Sequence, residues 1–551
     1  MTIAGRRINS VLDVAAALKV VNSLSVEDIM LRTVTAPVAI ALCCTAASVG
    51  LAGCKGIESA NSDPSATATG TSSIVWGACP APPPGTKVDP QQKCGTLKVP
   101  LDYRHPGGKQ ITIAVSRIPA TDPAKRRGVL LLNPGGPGGE GLNLPSAFGG
   151  LASKSVLAAY DRIGFDPRGV GHSSPVTCGF TAAEITPPYP YPAPDGSITK
   201  NVDFARSAAA RCAAKSGNVL PFITTANTAR DMDRIRKALG EKRLSYWGTS
   251  YGTYLGATYA SLFPHRTDRV VLDSAIDPAR IWYGVFQQQS EGIALRFPDA
   301  ARYAADHADQ VNFGTTPAAV TSSYRKLAAQ LDTRPITVPG TSTVLTGNMF
   351  RYLTTLLLFQ DETIPPLAQV WRATADLAAG HATSQETSTL QQTLAMVSPS
   401  AATSPGVPGD NAIAAAYAVA CDDVRWPAGL RTYARNVAED RKSFPLSAGS
   451  PANLWPCAFW HNAPIEHPVT ITDHGPRNIL ILQNDRDPAA TLDSGRGMHK
   501  ALGARSTLVT VDAGGHGVYG TQGPQACSTK ATDAFLIDGK IPNHDVRCPR
   551  P

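Results

Sequence analysis

Charge is scarce in this chain. Asp, Glu, Lys and Arg make up only 17% of its 551 residues, against 43% hydrophobic. That balance belongs to a globular protein with a sizeable core and excludes a disordered one. The formal charge of +8 is small for the length. Its densest basic cluster, Lys125-Arg126-Arg127, falls in a turn-like stretch before a strand and reads as a solvated loop, not a nucleic-acid site. No two cysteines form a CxxC pair or take Cys/His ligand spacing, so neither zinc nor any other cofactor is expected. No GK[ST] follows the glycine-rich turn at 135–139, which removes a phosphate-cradling loop. The 48 Gly and 45 Pro follow no period, so repeat and collagen-like architectures fall away.

What the sequence does have begins near its start. Residues 34–53 form an apolar run of small residues, preceded by Arg32 and followed by Cys54. Leu51-Ala52-Gly53-Cys54 resembles a lipobox, in which signal removal exposes a cysteine thiol for lipid attachment. Cys54 is therefore the expected lipidation site of an exported chain, held on the outer membrane face or secreted. Residues 1–29 carry mixed charges unlike a signal peptide, and Met30-Leu31-Arg32 makes a more usual start. Residues 55–78 open with a Ser, Thr, Ala and Gly-rich tether. Cys43 and Cys44 lie in the signal, which leaves eight cysteines after Cys54. An even number in an exported chain suggests four disulfides, and sequential pairing (79–94, 178–212, 421–457, 527–548) keeps every loop short.

From residue 94 strand-like runs alternate with helical ones, the pattern of a mostly parallel sheet covered on both faces. Expected strands are Leu97–Tyr103, Ile111–Ile118, Gly128–Asn133, Arg162–Asp166, Leu244–Trp247, Val270–Leu272, Asn478–Gln483 and, last, Ser506–Val511. Residues 227–239 and 251–263 read as helices. The alternation breaks between about 280 and 470, where 317–331 and 351–378 have helical patterns. The division expected is a core over 79–280 and 470–551, with a lid domain inserted at 281–469 over the C-terminal strand ends.

Gly248-Thr249-Ser250-Tyr251-Gly252 fits G-x-S-x-G, a turn between strand and helix that lifts a serine hydroxyl clear of the backbone. The pentapeptide alone is weak, but here an apolar strand precedes it and a helix follows. Ser250 is the expected nucleophile. Its base should come late in the chain, and His516 stands between glycines after the final expected strand. Asn484-Asp485-Arg486-Asp487-Pro488 offers two carboxylates to orient that imidazole, of which Asp487 is preferred and Asp485 is left to brace the loop. Oxyanion donors are expected from the Tyr251 N–H and from Gly136 in the turn Asn133-Pro134-Gly135-Gly136-Pro137-Gly138-Gly139.

The runs PGGPGGEG, DRIGFDPRGVGHSSP, TARDMDRIRKALGEKRLSYWGTSYGT, VVLDSAIDP, DRDPAAT and GGHG together resemble the proline-iminopeptidase-related serine peptidases of the α/β-hydrolase fold. Within these, the chain over about 79–551 is most similar to bacterial exported tripeptidyl aminopeptidases. The piece from Cys457 to Cys548 resembles the domain that such peptidases carry after the lid. The resemblance implies hydrolysis of peptides, tripeptides in particular, near a free amino terminus through an acyl-enzyme on Ser250. An acid must then hold the substrate ammonium. Cys421-Asp422-Asp423-Val424-Arg425-Trp426-Pro427 resembles the family's lid segment, which makes Asp423 one candidate. Glu140 is the other, since it stands beside the oxyanion turn where a small residue is expected. Two other readings share the export signals: an esterase, lipase or amidase with the same triad, and a non-catalytic ligand-binding lipoprotein.

Overall fold

The computed structural model describes residues 74–186, 188–397, 403–523 and 525–550. The expected signal and Cys54 lie outside the described residues, as does the tether up to residue 73. Among the described residues no helix is long and apolar enough to cross a membrane.

β1 (Lys93–Pro100) and β2 (Gln110–Ile118) open the sheet as an antiparallel pair. β3 (Gly128–Asn133), β4 (Tyr160–Phe165), β5 (Leu244–Thr249) and β6 (Thr267–Asp273) follow. A small separate ladder, β7 (Ile336–Thr337) with β8 (Val344–Leu345), lies in the insertion. β9 (Ile479–Arg486), β10 (Ser506–Gly514) and β11 (Val546–Cys548) return to the main sheet. Its order is β1-β2-β4-β3-β5-β6-β9-β10-β11. β2 meets β4 antiparallel, and the pairings from β4 onward are parallel. Every residue of β3 is buried, which is why it is written GVLLLN, an apolar run without alternation.

The helix Thr225–Ala238 covers one face of this sheet. Thr224 caps it by accepting from the Asn227 N–H, and it buries Ala229, Met232 and Ile235. Two expectations need correction. Ser506–Val511 lies in β10, but β10 is not the last strand: β11 adds a parallel edge, and three residues are too few to show a period. The 351–378 pattern is not one helix but two, Gly347–Leu357 and Ile364–Ala379, with a turn at 358–363 between them.

The insertion between β6 and β9 has two packing regimes. Residues from Ile293 to Leu394 enclose a core of their own around Trp371, Phe297 and Phe350. Residues from Ala414 to Cys457 instead share the core of the main sheet with Tyr251, Tyr254 and Trp282. Four disulfides close the pairs Cys79–Cys94, Cys178–Cys212, Cys421–Cys457 and Cys527–Cys548. The last ties the short β11 edge to the helix Cys527–Asp538. Loops of this length each contribute on the order of 3 kcal/mol by restricting the unfolded chain.

Candidate active site

Ser250 closes β5 and opens the helix Tyr251–Leu262 with φ 58° and ψ −124°, a conformation that L side chains rarely adopt. The surroundings over-determine it. The Ser250 N–H donates to the Asp273 carbonyl at 3.0 Å, and its own carbonyl accepts from Thr253 N at 2.9 Å and Thr253 Oγ1 at 2.6 Å. A Cβ on Gly252 would stand 2.9 Å from Asn133 Oδ1, so the elbow closes only with glycine there. The main-chain hydrogen bonds hold the turn, and none of them uses the Ser250 hydroxyl.

The glycine turn after β3 lies directly against this elbow. A Cβ on Gly135 would come within 2.9 Å of Ser250 Cβ and 3.3 Å of Tyr251 N. The Gly135 N–H is spent on Asn133 Oδ1 at 3.0 Å, and that of Gly139 on the Gly135 carbonyl at 3.3 Å. Gly136 lies between these two engaged positions. Tyr251 is the first residue of its helix, where the N–H has no partner four residues back and the helix dipole favours negative charge. Gly135 thus packs against Ser250 and Tyr251, with Gly136 next to it in the chain.

His516 follows β10 in the loop Gly515-His516-Gly517. Its Nδ1 lies 3.0 and 2.9 Å from the two carboxylate oxygens of Asp487, which is fully buried just past β9. Asp487 Oδ1 also accepts from the N–H groups of Ala489 and Ala490 at 2.8 and 2.9 Å. Burial alone would pull the His516 pKa down, but the charge and hydrogen bond of Asp487, helped by Asp273, raise it above 6.5. Asp485 points elsewhere and pairs with Arg547 at 2.7 Å, bracing the β11 edge.

Both proposed ammonium anchors already hold hydrogen bonds within the protein. Asp423 is buried, and its oxygens accept from Thr225 N at 2.8 Å, Thr225 Oγ1 at 2.6 Å and Trp282 Nε1 at 3.0 Å. It caps the helix Thr225–Ala238, and burial pushes its pKa up to about 6 against those donors. An ammonium would have to share this carboxylate with those three donors. Glu140 accepts from the Ser404 N–H and hydroxyl, so it fastens the oxyanion turn to the insertion.

Several contributors have no role expected from the sequence, although Asp273 and Ser274 lie in the run VVLDSAIDP. Asp273, at the end of β6, accepts from the N–H groups of Val518 and Tyr519, and burial pushes it up to about 6. Ser274 Oγ accepts from Gly517 N at 2.8 Å. Asn484 Nδ2 donates to the carbonyls of Gly515 and Gly517 at 2.9 and 3.0 Å. Together they hold the histidine loop from the core side. The run VVLDSAIDP at the end of β6 was the available sign, but the sequence does not say that this strand end lies next to the histidine loop.

A serine at a strand-to-helix elbow, a glycine turn packed against it and a carboxylate-held imidazole are parts that nucleophilic acyl transfer uses. Comparison with known proteins agrees with that chemistry. Residues 128–337 match the family model described as alpha/beta hydrolase fold, and residues 446–548 match that described as TAP-like protein. A tripeptidyl aminopeptidase of Streptomyces lividans is 35% identical over 480 residues, covering 83% of this chain and 85% of that protein. The serine protease Hip1 of Mycobacterium tuberculosis is 29% identical over 498 residues, covering 86% and 91%. A protein of the same species called carboxylesterase B is 32% identical over 493 residues, covering 86% and 89%. The chain is a serine hydrolase of the α/β-hydrolase fold and belongs to the tripeptidyl-aminopeptidase-like family.

Proposed function

We propose that the chain is a serine aminopeptidase that releases short peptides, tripeptides first among them, from substrates with a free amino terminus. Ser250 attacks the scissile carbonyl, His516 takes the hydroxyl proton, and Asp487 holds the imidazole and stabilises its charged form. The N–H groups of Gly136 and Tyr251 receive the oxyanion. His516 then protonates the departing amine and activates the water that frees the acyl group. The observation carrying this reading is the pairing of His516 with the buried Asp487 in a chain 35% identical to a tripeptidyl aminopeptidase over most of its length.

Ester hydrolysis is the second reading, favoured by the relative named carboxylesterase B. One assay separates the two. A tripeptide anilide with a free amine should turn over at least about 10-fold faster than its N-acetylated form, because a charge-assisted contact contributes roughly 1.5–3 kcal/mol. Equal turnover of both anilides, with short-chain acyl esters hydrolysed faster than either, would move the ester reading ahead.

The place of work is part of the same proposal. A lipid on Cys54 would hold the enzyme to the outer face of the membrane, and the eight later cysteines would oxidise there. The expected tether of 55–78 is cut short, because Ile74 is buried in the core and Gly77 pairs with Cys94. Expressed in its native host, the parent should partition with membranes, whereas Cys54→Ser should be unlipidated. A parent recovered without lipid and free of the membrane would rule the anchor out.

A further inference from the structure

The loop bearing His516 is gripped from two sides, by different parts of the chain. Its flanking glycines belong to the core: Gly515 N donates to the Arg486 carbonyl, Asn484 holds the Gly515 and Gly517 carbonyls, and Ser274 holds Gly517 N. The histidine's own main chain is bonded to the insertion. His516 N donates to the Phe359 carbonyl at 2.6 Å, and Gln360 Nε2 donates to the His516 carbonyl at 2.7 Å. The Phe359 ring meets the imidazole edge-on with centroids 5.4 Å apart.

The segment that provides these contacts is itself anchored. Thr363 Oγ1 lies 2.7 and 2.9 Å from the carbonyls of Leu357 and Gln360, and its one proton is shared between them, closing the turn between the two helices. Arg296, buried in the helix Tyr283–Asp306, reaches the Leu358 carbonyl with Nε at 3.1 Å and Asp361 with Nη2 at 2.5 Å. A break in helical pattern thus lies where the insertion touches the histidine.

We propose that Gln360 is a positioning residue for His516, and that seating of the turn 358–363 on the histidine completes the catalytic constellation. This rests on the reading of His516 as general base. Gln360 touches no reacting atom and acts through the carbonyl it holds. On the main chain the core holds only the neighbours of His516, so an insertion that lifts away releases the histidine's own N–H and carbonyl together, leaving Asp487 as its remaining hold on the side chain. Hydrolysis is then coupled to closure, and water is excluded at the same moment that the base is aligned.

The test compares three replacements in the full chain, with a short acyl ester and a free tripeptide anilide as substrates. Gln360→Met keeps the length and removes the donor, Gln360→Glu presents a carboxylate to a carbonyl, and Gln360→Lys restores a donor of similar reach. Met and Glu should lower kcat roughly 10- to 50-fold on both substrates, with KM changed less than about twofold, because the lost contact aligns the base and binds no substrate. Lys should recover most of the loss, and melting temperatures should stay near the parent's. A Met variant with kcat within twofold of the parent overturns the proposal. Equal losses in Met, Glu and Lys overturn it too, since shape and not donation would then matter. His516→Ala, run alongside, separates the two levels. If it is inactive while Gln360→Met is normal, only the positioning role fails. If His516→Ala is itself active, the reading beneath the proposal fails.

Discussion

Ser250→Ala should give a folded protein whose hydrolysis is at least about 10³-fold slower than the parent's on peptide and ester alike. The fold should survive because the elbow is held by main-chain contacts to Asp273 and Thr253, in which the Ser250 side chain takes no part. Alanine also adds no bulk next to Gly135, and its Cβ tolerates the positive φ as poorly as serine's does, so the strain is unchanged. The residual rate reports what the oxyanion donors and binding contribute without a nucleophile. A fluorophosphonate should label the parent once and the variant not at all. Labelling of the alanine variant at another serine would transfer the nucleophile's role elsewhere.

The elements that place this serine were readable because their burial leaves a plain trace. β3 and β9 are covered on both faces and are written as GVLLLN and ILILQ. The helix Thr225–Ala238 shows its cap, its stripe and its stop at Gly240, which takes φ 75°. The histidine and its acid were found by order and by position after strands. Choosing Asp487 over Asp485 required only that the loop after β9 turn one of the two carboxylates toward β10.

What was not legible depends on contacts between distant segments. Asp423 is the second acid after Cys421 and stands shortly before Trp426-Pro427, a segment whose resemblance invites a binding role. Whether a carboxylate faces a pocket or a helix terminus depends on Thr225 and Trp282, which lie 198 and 141 residues away. Glu140 is the same case, with Ser404 at a separation of 264. The turn at 358–363 did leave a mark. Pro365-Pro366 belong at the start of a helix, so a boundary just before them follows from the missing N–H groups. The apolar spacing carries on through that boundary and hides it. That the boundary falls on His516 is visible only once the insertion is folded over the sheet.

Asp487→Asn should be nearly as damaging as loss of the nucleophile, and for a reason fixed by two alanine amides. In the parent, Oδ1 accepts from Ala489 N and Ala490 N, while Oδ2 lies 2.9 Å from His516 Nδ1. An asparagine must place its carbonyl oxygen on those two N–H donors, which turns its NH₂ toward the histidine. His516 then accepts at Nδ1 and carries its proton on Nε2, the nitrogen that general-base catalysis needs free to take the hydroxyl proton. The expected loss in kcat is about 10³- to 10⁴-fold. The pH profile adds a second reading. His516 must be neutral to act, so kcat/KM falls as pH drops through its pKa, and in the parent that limb should lie above 6.5. Removing the Asp487 charge leaves burial to pull the pKa down, opposed only by Asp273, so the limb of the variant's residual activity should move to lower pH. Asp485→Asn makes the comparison decisive: it breaks a pair with the largely exposed Arg547 and should change kcat less than about threefold. Should Asp485→Asn be the damaging change and Asp487→Asn the mild one, the carboxylate of the triad would have to be reassigned.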